Sequence, residues 1–408
     1  MANRIPSKEQ IEFMDAELGI FFHFGIRTFN EDSRDWDMIP MDPDTFNPTD
    51  LDCEQWIRAI KSFGAKYAVL TTKHHDGFAL WQSDYSSYSV RQCKWRGGKG
   101  DVVREFTDAC RKYGIRPCLY YSISEFNAPA LGDRYTEVIL GQVTELLTNY
   151  GPIDLLWFDG CGSGNIQFDM NVINDTVRRL GPKLVGDTRW IGNEWGYSTL
   201  YNNNYAYADG NFRPGECDAC MTRLGTENFW FYNETHNNCR RTVDELVGMY
   251  YLSIGRGANL LLNIAPDRRG LLEDEDIRLM TAAHDEISRR IHGCALMTGK
   301  METGERNGHQ TFTVEFPRPV LVDHALLAED QTTGDHVRAF SIYSLCYADS
   351  ERIELFRGAT IGHKTLCRFP TIRAKILQVE VTDGDGEATL TMLRPLYVGN
   401  GSRDQVQG

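Results

Sequence analysis

Residues 65–78 read Ala65-Lys66-Tyr67-Ala68-Val69-Leu70-Thr71-Thr72-Lys73-His74-His75-Asp76-Gly77-Phe78. The first eight positions are apolar or β-branched nearly throughout, without polar alternation. That pattern predicts a strand covered on both faces, as in a parallel sheet packed between other layers. The run then changes character and delivers two imidazoles and a carboxyl group beyond the end of the strand.

Outward from this stretch the same rhythm repeats. Upstream, Gly19-Ile20-Phe21-Phe22-His23-Phe24 reads as a buried strand and Cys53 to Phe63 as a helix. Downstream, a helix from Asp101 places Val102, Val103, Phe106, Ala109, Cys110 and Tyr113 on one apolar face and stops at Gly114. Strand Ile115 to Tyr121, a helix from about Arg134 to Asn149, and strand Ile153 to Phe158 follow, then strand-like runs at Lys183 to Val185 and Ala258 to Ile264. Alternating β and α segments predict an α/β fold with a parallel sheet. No GxGxxG turn follows the first strand, which favours a closed (β/α)8-like (TIM-type) barrel over an open doubly wound sheet.

After a helix at Glu273 to Ile291 the pattern becomes alternating and β-rich, as in Gln310-Thr311-Phe312-Thr313-Val314-Glu315-Phe316. This predicts a C-terminal antiparallel β-sandwich. The expected division is a catalytic barrel over 1–298 and a sandwich over 299–408.

Composition narrows the function. The net charge of −14 repels phosphate backbones and anionic membranes, so neither nucleic acid nor a membrane is an expected partner. The 8 Trp and 18 Tyr among 408 residues supply faces that stack on sugar rings. The N-terminal residues lack an apolar leader core, giving an expectation of a soluble, cytoplasmic protein unless a signal peptide was removed. The 11 cysteines, an odd number, read as reduced and buried. Cys217-Asp218-Ala219-Cys220 has half the spacing of a zinc site but no second pair, so it reads as structural. Whether the chain forms a homo-oligomer is left open.

The predicted strands share one feature: each ends in polar or aromatic side chains. His23 follows the first, His74, His75 and Asp76 the second, Tyr120 and Tyr121 end the third, Asp159 follows Trp157-Phe158, and Arg189-Trp190 follows another. A lone His at a strand end is usually structural, and Asp-Gly is often only a turn. In a barrel, however, all strand C-termini meet at one face, so these groups converge on one pocket.

Five segments, in order, resemble the signatures of glycoside hydrolase family 29, the α-L-fucosidases: Phe22-His23-Phe24-Gly25, the block from Lys66 to Phe78, Leu119-Tyr120-Tyr121-Ser122, Leu156-Trp157-Phe158-Asp159-Gly160, and Gly257 to Pro266. The resemblance implies a retaining exo-glycosidase that removes terminal α-L-fucosyl residues from a fucosylated oligosaccharide or glycoconjugate, without a cofactor or metal. It implies Asp159 as nucleophile. The segment Arg189-Trp190-Ile191-Gly192-Asn193-Glu194-Trp195-Gly196 is similar to the one carrying the acid/base in the subgroup acting on α-1,3/1,4-linked fucose, which points to Glu194, with Glu216 as the alternative. For the sugar pocket it implies His23, Asp35, Trp36, His74, His75, Tyr120, Arg189 and Trp230, with Trp157 in the lining. The family usually has Glu where Asp35 stands.

Two other readings compete. His23, His74, His75 and Asp159 could hold zinc or nickel in a metal-dependent barrel hydrolase, although adjacent histidines on a strand point in divergent directions, which argues against it. A non-catalytic fucose-binding protein is the second, and the presence of both carboxylates argues against that.

Overall fold

A computed structural model describes residues 5–30, 37–160, 166–181, 212, 214–224, 227–345 and 352–399. Helix α1 (Lys8–Met14) leads into β1 (Leu18–Phe22). The chain then runs α2 (Cys53–Ser62), β2 (Tyr67–Lys73), α3 (Val102–Tyr113), β3 (Arg116–Ser122), the short α4 (Ala128–Leu131), α5 (Tyr135–Asn149), β4 (Leu155–Asp159) and α6 (Met170–Leu180). Next come β5 (Glu216–Cys220), the small pair β6 (Arg223–Leu224) and β7 (Glu227–Asn228), α7 (Val243–Leu252), β8 (Asn259–Asn263) and α8 (Asp274–Ser288). Several helices start where an Asp or Thr side chain accepts an otherwise unpaired N–H: Asp52 before α2, Asp101 before α3 and Thr242 before α7. Helix α3 stops at Gly114, whose φ of +73° only glycine adopts cheaply.

Among the described residues the strands form one sheet in the order β4-β3-β2-β1-β8-β5, every neighbour parallel. The first strand of the chain pairs with β8, near the end of this region, as it does when a βα succession curls back on itself. The fold is the expected (β/α)8-like barrel.

Strand parity decides which side chains enter the barrel, because successive residues face opposite sides. Phe22, Leu70, Leu119, Tyr121, Leu156, Phe158 and Leu262 point outward into the main core beneath the helices. Phe21, Val69, Cys118, Tyr120, Leu155, Trp157 and Leu261 form a separate interior core. Both faces are apolar, which explains the absence of alternation in these strands. Continuing the interior rows by two residues gives His23, Ser122, Asp159 and Asn263 at the C-terminal end of the barrel.

One strand breaks parity. Thr71 pairs with Tyr120 and Lys73 with Tyr121, so β2 carries one extra residue, Thr72, in a bulge. Lys73 is thereby turned to the outer face, where its ammonium meets Glu125 and the hydroxyl of Tyr121 (3.1 Å).

The C-terminal region contains β9 (Glu302–Arg306), β10 (His309–Glu329), β11 (Val337–Leu345), β12 (Ile353–Gly358), β13 (Thr365–Gly384) and β14 (Leu390–Leu396). They pair antiparallel as β12-β11-β13-β10-β14, with β9 on β10. Strands β10 and β13 are long and irregular, with register shifts at Glu315/Val320 and Val322/His324, and these bends allow them to serve two layers. Phe312, Val314, Phe340, Ile342, Leu377 and Val379 fill the core of the resulting β-sandwich. An ion pair between Lys364 and Glu17 joins it to the barrel, and Nε2 of His363 lies 3.5 Å from a carboxylate oxygen of Asp15.

Candidate active site

The turn after β2 is built by its own residues. Gly77 donates its N–H to the carbonyl of His74 (2.9 Å) at φ +82°, and a Cβ there would lie 3.2 Å from Cβ of Glu125, so both conformation and space call for glycine. Asp76 accepts from the N–H of Phe78 (2.7 Å) and faces Arg27 (3.4 Å), with both side chains almost wholly buried. Burial pushes the Asp76 carboxyl group above its usual range, and the Arg27 guanidinium opposes that shift. Lys73, pulled down by burial and held up by Glu125, anchors the other end of the turn. The two buried ion pairs thus clamp the loop that carries His74 and His75. Removing one partner of such a pair leaves an uncompensated charge, so Arg27→Met is expected to lower the unfolding free energy by about 3–5 kcal/mol in urea titrations. A loss under about 1 kcal/mol would mean that the pair does not hold the turn.

Asp159 ends β4 with its side chain 13% exposed. The hydroxyl of Tyr120 donates to Oδ2 of Asp159 at 2.6 Å, and Nε2 of His75 lies 3.4 Å from the same oxygen. The Tyr120 ring is sandwiched: His74 stacks on it (5.5 Å between centroids, 15° between planes) and so does Trp157 (5.4 Å, 25°). His23 lies 5.5 Å from His74 and 5.0 Å from Trp230, ring centre to ring centre.

Proton positions follow from the partners. The amide of Asn263 donates to the carbonyl of Trp230 (2.6 Å), so its oxygen faces His23 and accepts from the backbone N–H (3.2 Å) and from Nδ1 (2.7 Å). His23 therefore carries its proton on Nδ1 and presents a lone pair on Nε2. Ser122 similarly spends its only proton on the carbonyl of Ser124 (2.7 Å), so Nδ1 of His75 must donate to Oγ of Ser122 (2.6 Å). Burial pushes the His75 imidazole below its ordinary range, while Asp159 opposes that shift. Neutral His75 thus offers an acceptor nitrogen beside an acceptor carboxylate, and a ligand hydroxyl can donate to either.

Burial pushes His23 down to about 3, against the 6.5 of a free imidazole. Between these values the unfolded chain binds a proton that the folded chain excludes. Its contribution is therefore complete above pH 6.5 and is lost as pH falls toward 3. Comparing thermal midpoints at about pH 7 and 4.5, the acid-side loss is expected to be smaller in His23→Gln, which cannot charge. An equal loss in both proteins would show that His23 does not resist protonation.

The structure brings His23, His74, His75, Tyr120, Asp159 and Trp230 together. Trp157 is buried and supports the site from behind, stacking on Tyr120. Asp35, Trp36, Arg189 and Glu194 lie outside the described residues. Glu216 sits elsewhere: it accepts from the hydroxyl of Tyr67 (2.7 Å) and from Nε1 of Trp157 (3.1 Å), at the start of β5. Cys220, not Glu216, is level with Asn263. Four residues of strand separate the two levels, roughly 13 Å, so Glu216 belongs to the opposite end of the barrel interior.

One expectation fails. The adjacent histidines do not diverge: their ring centroids are 4.2 Å apart, because both lie beyond the last residue of β2, where pleat alternation no longer applies. Donor atoms of His74, His75 and Asp159 all lie within 4.8 Å of one another, a spacing that could hold a metal ion.

Sequence reasoning missed Asn263 and Ser122, which set the imidazole tautomers, and Phe231, whose ring meets His23 and His74 edge-on at 5.4 and 5.0 Å. A signal existed for Asn263, a polar residue ending the apolar run Leu260-Leu261-Leu262. Nothing comparable marks Phe231.

Comparison with known proteins agrees with the geometry. The α-L-fucosidase family model matches residues 3–283. Arabidopsis thaliana α-L-fucosidase 1 is 35% identical over 423 aligned positions, covering 90% of this chain and 82% of its own. Human plasma α-L-fucosidase is 28% identical over 316 positions, 66% of each chain. A solved glycoside hydrolase 29 family member from an unknown rumen bacterium superposes with a TM-score of 0.85 at 28% identity, over 99% of this chain and 79% of that one. The chain therefore belongs to the α-L-fucosidases, glycoside hydrolase family 29.

Proposed function

We propose that this glycoside hydrolase removes terminal α-L-fucosyl residues with retention of configuration, through a covalent intermediate on Asp159, and that it acts on α-1,3/1,4-linked fucose. The observation that carries the reading is Asp159 at the end of β4, oriented by Tyr120 and facing a pocket of three histidines and Trp230. In the first step a carboxylate oxygen of Asp159 attacks the anomeric carbon as the glycosidic C–O bond breaks, and Glu194 gives its proton to the departing oxygen. In the second, Glu194 takes a proton from water, which attacks the same carbon and returns Asp159 as a carboxylate. The Nε2 lone pairs of His23 and His75 accept from ring hydroxyls, and Trp230 packs on the apolar face of the sugar. The linkage preference rests on the likeness of the Arg189 to Gly196 segment to one subgroup.

Proton NMR of the first product from an α-fucoside is the test: α-fucose is expected before mutarotation, and initial β-fucose would exclude the covalent route. The grouping of His74, His75 and Asp159 gives metal-assisted hydrolysis a specific observation in its favour. Loss of activity in chelator, restored by added zinc or nickel, would establish that route instead.

A further inference from the structure

A second cavity, of about 800 Å³, opens between α7 and strands β11, β12 and β13 of the sandwich. It lies at the N-terminal end of the barrel, because the turn Ile254–Arg256 on its wall immediately precedes the start of β8. Asp159 is at the other end. Four arginines line the cavity, Arg256, Arg290, Arg357 and Arg368, against one carboxylate, Asp244. In a chain of net charge −14 this is a marked local reversal.

The arginines are not equally engaged. Arg290 is paired with Glu286 (2.7 Å) and Arg357 with Glu354 (2.9 Å). The side chains of Arg256 and Arg368 make no hydrogen bond or ion pair among the described residues. A planar guanidinium is suited to two-pronged binding of a carboxylate or sulfate. The same cavity offers aromatic surface from Tyr251 and from Phe356, which is backed by the buried ring of Phe340 (6.0 Å, 30°). Charge donors beside a ring face are the combination that binds an acidic sugar.

Gly248 supplies an independent observation. It stands inside α7, where glycine weakens a helix, and it lines the cavity. A Cβ there would meet nothing within 4 Å, so no packing contact within the protein requires its absence. A larger side chain there would project into the open space of the cavity.

We propose that this cleft binds a sugar ring bearing a carboxylate or sulfate, with Arg256 and Arg368 holding the anion and Tyr251 and Phe356 the ring. The C-terminal sandwich thereby forms half of a carbohydrate site remote from Asp159, and the proposal does not depend on the hydrolytic mechanism. Titration calorimetry on the full chain would use sialyllactose for the carboxylate and galactose 6-sulfate for the sulfate, with lactose, galactose and sodium sulfate as controls. At least one acidic sugar is expected to bind with Kd below about 1 mM and at least tenfold more tightly than every control. Arg256→Ala/Arg368→Ala should weaken that binding at least tenfold, and Gly248→Leu should abolish it by filling the cleft. Leucine favours the helix, so the thermal midpoint of Gly248→Leu is not expected to fall, and turnover of a small aryl fucoside should be unchanged in both variants. Failure of both acidic sugars to bind would overturn the proposal, as would unchanged binding in the variants. Sodium sulfate binding as tightly as the sugars would reduce the cleft to an anion site and overturn recognition of the ring.

Discussion

Asp159→Ala should lose turnover of aryl α-fucosides by on the order of 10⁴-fold or more, the scale seen when a covalent nucleophile is removed. That corresponds to at least about 5 kcal/mol of transition-state stabilisation. The fold should survive, because Asp159 is the last residue of its strand and its side chain is 13% exposed. Its neighbour Tyr120 would lose an acceptor at the pocket surface, where water can replace it. Azide is small enough to occupy the space left by the carboxylate and to attack from the same face. The rescued product should therefore be the β-fucosyl azide, inverted relative to the substrate. An α-azide, or turnover that persists near the parent rate in a variant with an unchanged circular dichroism signal, would remove Asp159 from the nucleophile role.

The second large effect concerns the proton donor. Replacing Glu194 by Ala should slow hydrolysis of fucosyl oligosaccharides by roughly 10²–10⁴-fold, the usual contribution of a positioned general acid. Substrates with an activated phenol as leaving group need little protonation in the first step, so their bond cleavage should fall far less. Azide should again restore turnover, now with retained configuration, because it replaces the water that Glu194 activates. A loss independent of the leaving group would assign the acid elsewhere. Glu216 is a poor successor: both of its oxygens are engaged by Tyr67 and Trp157 at the far end of the barrel interior. Glu216→Gln should accordingly leave the dependence on leaving group intact.

The barrel was readable because its strands are doubly covered. Runs such as Leu155-Leu156-Trp157-Phe158 lack alternation for the reason the structure displays, one face under helices and the other in an interior core. The convergence of His23, His74, Tyr120 and Asp159 was readable too, since parallel strands place all their C-termini at one end. Finer features were not. The roles of Ser122 and Asn263 depend on proton counting among partners 47 and 240 residues away, which no local pattern encodes. The level of Glu216 depends on strand register, and a short polar segment before β5 does not announce where pairing begins. The shared direction of His74 and His75 depends on the strand ending one residue before them.

Thr72 has a consequence beyond its own position. Were β2 regular, Lys73 would follow Thr71 into the barrel and place a flexible cation among the sugar-binding groups. The extra residue sends that charge to the helix side, so that among the described residues the groups around Asp159 are imidazole, phenol and indole, which read hydroxyls. The face on which that ammonium lies is thus written in backbone spacing, in the count of residues between Thr71 and Lys73, and not in any side chain around Asp159.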